Sequence, residues 1–166
     1  MLIAIDVYYK ATYAKAVGVL FDWADDTSQQ IIADTINGVA DYEPGQFYKR
    51  ELPCILQLLQ QLDINNLEAI IVDGHVYVDN NKTFGLGGHL WQALDQKVPV
   101  IGIAKKAFHN TEQVSSPIYR GKSQNPLYVS CVGISEQEVL TKVQLLHGPY
   151  RIPAMLKLLD QQTKGD

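Results

Sequence analysis

An α/β fold is what the sequence predicts. Three apolar, β-branched runs separated by short polar turns open the chain, at 2–9, 13–23 and 28–38. After them, segments with helical spacing alternate with short, almost wholly apolar runs at 67–74, 98–106 and 126–133. Such runs are what strands buried on both faces look like. The two patterns together give a three-stranded antiparallel meander continued by parallel strands, with helices on both faces. The length, 166 residues, suits one domain spanning 1–166 with a sizeable core, and 46% hydrophobic residues exclude a disordered chain.

Each element has its own signal. LIAIDVYY (2–9) is short, apolar and β-rich, hence a strand. YAKAVGVLFDW (13–23) and SQQIIADTING (28–38) are two more, joined by the acidic turn Ala24-Asp25-Asp26-Thr27. YEPG, starting at Tyr42, is a turn: Pro44 presets φ and Gly45 permits a left-handed backbone. In ELPCILQLLQQL (51–62), Leu52, Ile55, Leu56, Leu59 and Leu62 recur at helical spacing, and Pro53 suits a first helical turn. LEAIIVDG (67–74) is a buried strand ending in Asp-Gly. FGLGGHLWQALDQ (84–96) is a glycine-rich helix. VPVIGIAKK (98–106) and PLYVSCVG (126–133) are further buried strands. SEQEVLTKVQLLHG (135–148) opens on Ser-x-x-Glu, a capping box, and closes on Gly; IPAMLKLLDQQ (152–162) is a last helix.

Composition removes several function classes. No apolar run approaches the ~20 residues of a membrane span. MLIAIDVYY lacks the basic start of a signal peptide, so a cytoplasmic location is expected. Cys54 and Cys131 are a disulfide or, better suited to a chain without an export signal, buried free thiols. A net charge of −4 argues against a generally basic surface. Nucleic-acid contact would need a local patch: Lys49-Arg50, Lys105-Lys106 or Arg120-Lys122.

Acidic residues at element ends carry the functional signal. Asp6 interrupts an apolar strand, and Asp73 closes one. The carboxyl ends of parallel strands are where open α/β sheets place ligands. Glu51 starts the helix behind the YEPG turn. Singly, each has a bland explanation: Asp-Gly as a turn, and Glu51 as a partner of the helix dipole. Asp6 resists one, because a buried carboxylate is costly unless paired or metal-bound. Convergence of Asp6, Glu51 and Asp73 would make an oxygen-rich site suited to Mg²⁺ or Mn²⁺. An ion held this way activates water and steadies a phosphate. Elsewhere, His89 and the two tryptophans suit core roles, as do most tyrosines; His109 and His147 suit the surface. Tyr42 is the exception, a turn-tip aromatic able to stack on a base.

In order, the chain carries IAIDVYY, YEPGQFYKRE, IIVDGH, GLGGHL, VPVIGIAKK, NPLYVS and YRIP. This series resembles the endonuclease V family, metal-dependent nucleases with a ribonuclease H-like fold that cut DNA or RNA near inosine. The resemblance implies a divalent ion, Mg²⁺ with Mn²⁺ as substitute. It implies Asp6, Glu51 and Asp73 as metal ligands and catalytic residues, with Asp160 as a further ligand. Lys105 falls on the lysine that meets the phosphate. Tyr42, Pro44 and Gly45 fall on a strand-separating wedge, and His75, Lys49 and Arg50 on the substrate side. Asp41 and Glu43 replace the wedge's apolar residues, and DGHVYVDNNKT lacks the second His and the Arg of the family pattern. Two classes of function follow: a metal-dependent endonuclease acting on a DNA or RNA strand, or a degenerate binding or interaction module that keeps the fold.

Overall fold

The computed structural model describes residues 1–38 and 48–165. Its elements are β1 (Leu2–Tyr9), β2 (Tyr13–Phe21), β3 (Gln30–Asn37), α1 (Tyr48–Leu59), β4 (Ala69–Asp73), α2 (Leu86–Ala93), β5 (Val100–Ala104), β6 (Ser116–Ile118), β7 (Leu127–Val132), α3 (Glu136–Gln144) and α4 (Ala154–Lys164). One seven-stranded mixed sheet has the order β3-β2-β1-β4-β5-β7-β6. The expected meander is there, β1–β2 and β2–β3 both antiparallel. β4 joins β1 in parallel, and β5 joins β4 in parallel.

Strand alternation splits the core in two. Ile3, Ile5, Ile70 and Val72 face α1 and α2, which contribute Ile55, Leu58 and Leu90. Leu2, Ala4, Ile71 and Ile103 face α3 and α4, which contribute Val139, Val143, Met155 and Leu159. β5 threads through a tight point. A Cβ on Gly102 would stand 2.5 Å from the Gly74 carbonyl and 2.8 Å from Ser130 Oγ. That hydroxyl accepts the Val76 N–H at 3.0 Å, tying β7 to the turn after β4.

The sheet ends in β3 on one side, and there α1 reaches over the edge. Gln57 Nε2 donates to Asp34 at 2.9 Å, and Gln61 Nε2 to the Ala33 carbonyl at 3.1 Å.

Four expectations are corrected. β7 runs antiparallel to β5, because β5 and β7 are joined through the strand β6, which the sequence did not announce. β6 has three residues and contains Pro117, too short for a period. α1 begins at Tyr48, so Pro53 lies inside it and Glu51 in its first turn. Ser135 caps α3 by position but makes no side-chain cap bond; Glu136 instead accepts Ser116 Oγ at 2.7 Å. Both cysteines are free thiols. Among the described residues no helix is long and apolar enough to cross a membrane.

Candidate metal and phosphate site

β1 and β4 lie side by side in parallel, and their register ends at Ile5 opposite Val72. Asp6, midway along β1, and Asp73, the last residue of β4, are the next residue on each strand, so they stand next to each other. Alternation turns both toward the α4 face. Asp160 approaches from α4, and Lys105 is the first residue past β5. These four side chains line one cavity of about 340 Å³, with apolar walls that include Ile103 and Leu156. Glu51 arrives from α1 on the opposite face and is not part of the cavity wall.

The electrostatics tie Glu51 to the group nonetheless. Asp6 is pushed up to about 7, first by burial and then by the charge of Asp73. Glu51 is also pushed up to about 7, by burial and then by Asp6 and Asp73. Burial raises Asp73 as well, opposed by the Lys105 ammonium. Asp73 is accessible to solvent, but it opens into the cavity and not onto a convex surface, so its hydration is incomplete. Among the described residues none of these three forms a salt bridge; Asp160 pairs with Lys164 at 3.1 Å. Crowded like charges that Lys105 and Arg50 offset only in part favour either protons or a cation. The donors are all carboxylate oxygens, the set that hard divalent ions take. The residues therefore fit such an ion by chemistry. They are not gathered to bonding distance: among the described residues no three His, Cys, Asp or Glu side chains are close enough to hold an ion as placed.

The other expected residues divide. His75 is 4% exposed, its ring stacked on Phe108 at 4.1 Å. Its Nε2 donates to the Lys106 carbonyl at 2.8 Å, so it braces the lysine segment. Burial holds it below the usual histidine range. Arg50, half-buried on α1, packs against Tyr9 of β1. Its guanidinium lies 3.6 Å over the Tyr9 ring with Nε buried. Lys49 is exposed on α1. Tyr42, Pro44 and Gly45, with Asp41 and Glu43, lie outside the described residues. His89 has the packing role expected, stacked 3.7 Å from Tyr48 between α1 and α2. Arg120 is buried, which removes Arg120-Lys122 as a surface patch. The tyrosines are the largest correction. None of those described is fully buried, and Tyr150 is 71% exposed on the cavity rim. Tyr150 and Arg151 were missed as site residues; the only signal was their place in the YRIP motif.

The mixed sheet with helices on both faces is shared with known proteins. The family model for Endonuclease V matches residues 1–161. The chain belongs to the endonuclease V family. Endonuclease V of Methanopyrus kandleri is 35% identical over 104 residues, 61% of this chain and 42% of the relative. Endonuclease V of Clostridium acetobutylicum is 28% identical over 145 residues, 74% of this chain and 60% of the relative. The chain thus spans about half the length of the curated relatives it matches. Human ENDOV superimposes with a TM-score of 0.77 at 22% identity, covering 98% of this chain and 82% of the human one. Ciona intestinalis endonuclease V, in complex with a 24mer DNA containing an inosine followed by a ribo-adenosine, superimposes at 0.79 with 18% identity, over 98% and 84%. These structures share the ribonuclease H-like fold.

Proposed function

We propose that this chain, as one domain over 1–166, is a divalent-metal-dependent endonuclease. It would hydrolyse a phosphodiester bond in a DNA or RNA strand near a deaminated base such as inosine. The observation that carries the reading is the gathering of Asp6, Asp73, Asp160 and Lys105 on one cavity, with the charges of Asp6 and Asp73 acting on Glu51 from beside it. Asp6, Glu51 and Asp73, with Asp160, would hold Mg²⁺, or Mn²⁺ in its place. Bound there, the ion supplies a Lewis acid and an activated water. Lys105 places a positive charge at the cavity, where it offsets charge building on the phosphate. Tyr42, Pro44 and Gly45 would part the strand near the base, and Lys49 would hold its backbone. Cytoplasmic action follows from the same reading.

A second reading has specific support. Arg50 is sequestered on Tyr9, the net charge is −4, and the carboxylates are spread. These favour a fold retained for binding, with little cleavage. One assay separates the two: incubation with inosine-containing single- and double-stranded DNA and RNA, with Mg²⁺ or Mn²⁺. Cleavage by the wild type and none by Asp73→Asn supports the nuclease. Binding without cleavage on any strand supports the module.

A further inference from the structure

Arg120 is 4% exposed and makes no salt bridge among the described residues. A buried guanidinium without a carboxylate is expensive. It spends its donors on four carbonyls of one loop. Nη1 donates to Tyr150 at 2.8 Å and Arg151 at 3.2 Å; Nη2 donates to Gly148 at 3.0 Å and to Leu146. This loop joins α3 to α4 and forms part of the cavity rim. Only a planar fork meets so many acceptors at once; an ammonium cannot.

The held loop holds something else. Arg151 Nη2 donates to the Lys105 carbonyl at 2.7 Å and to the Pro126 carbonyl at 2.8 Å. The next carbonyl, Lys106, is taken by His75. Lys105 stands just past the last residue of β5, where the sheet stops fixing the backbone. Two side chains from opposite sides fix it instead.

We propose that Arg120 is a positioning residue: through the loop it sets Arg151, and through Arg151 it sets Lys105 against the carboxylates. The catalytic part of this rests on the nuclease reading above; the mechanical part does not. The rival explanation is that Arg120 only satisfies the open carbonyls after α3. The two differ at Lys105.

Hydrogen exchange on the full chain without added metal separates them. Arg151→Ala is expected to speed exchange over Ala104–Phe108 and leave the α3 end unchanged. Arg120→Lys is expected to speed exchange over both segments. A carbonyl cap alone would move only the loop. In single-turnover cleavage at saturating enzyme, each variant should lose about tenfold or more in rate, since a 1 Å misplacement costs up to ~100-fold. Strand affinity should stay within about twofold in Arg120→Lys, and the double variant should lose no more rate than the worse single one, because both act through one path. Unchanged exchange over Ala104–Phe108 in Arg151→Ala overturns the proposal, as do rate losses that multiply. If Arg120→Lys gives no cooperative melt, Arg151→Ala decides alone by the same criteria. If the wild type cuts no strand, the nuclease reading fails, and the exchange result still decides the positioning claim.

Discussion

Asp73 stands between the other charges of the site, and its replacement is the sharpest residue-level test. Asp73→Asn keeps the shape and removes the charge. Cleavage should fall by more than the roughly 10–100-fold typical of residues behind a metal's ligands, with an unchanged melting curve. Full activity in that variant would sink the assignment. Asp6 and Glu51 make a second prediction, about pH. In the fold both titrate near 7, against about 4 when unfolded. The native state therefore binds more protons between those values. Without divalent ion their stability contribution is full below about pH 4 and is lost as pH rises through about 7. Glu51→Gln should thus raise the melting temperature of the metal-free protein at pH 8 by a few degrees, since ~1 kcal/mol moves a chain of this size by about 2–4 °C. The same variant should lose the stabilisation that Mg²⁺ gives the wild type. A lower metal-free melting temperature in Glu51→Gln would show that the carboxylate is held by something other than repelling neighbours.

At the element scale, β5 is the strand with least room. Gly102→Ala would drive a methyl against the Gly74 carbonyl and Ser130 Oγ. Denaturant unfolding should show a loss of about 1–3 kcal/mol, the usual cost of overpacking. A loss near zero would mean that the turn after β4 yields freely. The elements also show what a sequence can carry. Asp6 and Asp73 stood out as candidates because each breaks or ends an apolar run, and Lys105 through the lysine motif it falls on. Glu51 was legible only through the motif around it; helical period alone started the helix three residues late. β6 was invisible because three residues with a proline carry no period. Arg120 and Arg151 were invisible for a related reason. Their work is done by loop carbonyls brought together only by the fold, and nothing in local spacing foretells that.

Over the whole molecule, charge limits how nucleic acid is held. The net charge is −4, Arg50 and Arg120 are turned inward, and Lys105, Lys106 and Lys157 are exposed around the cavity. With about three phosphates met on a single strand, log K should fall against log salt with a slope of about −2. A much steeper slope, in fluorescence anisotropy titrations, would mean a basic surface elsewhere on the chain. A last consequence lies at the far end of the sheet, where Gln57 and Gln61 of the α1 region bond to β3. An outer strand with open amides and carbonyls invites pairing with another molecule, and proteins suppress this by covering it. Gln61 takes one β3 carbonyl and Gln57 holds the Asp34 side chain beside it, so the pair stands across that margin. Their joint replacement by alanine should leave cleavage intact yet bring earlier turbidity and thioflavin binding when the protein is held just below its melting temperature. Turbidity matching the wild type would show that this margin is protected by other means. Earlier turbidity would show that α1, with the turn after it, keeps separate copies of the protein from joining strand to strand.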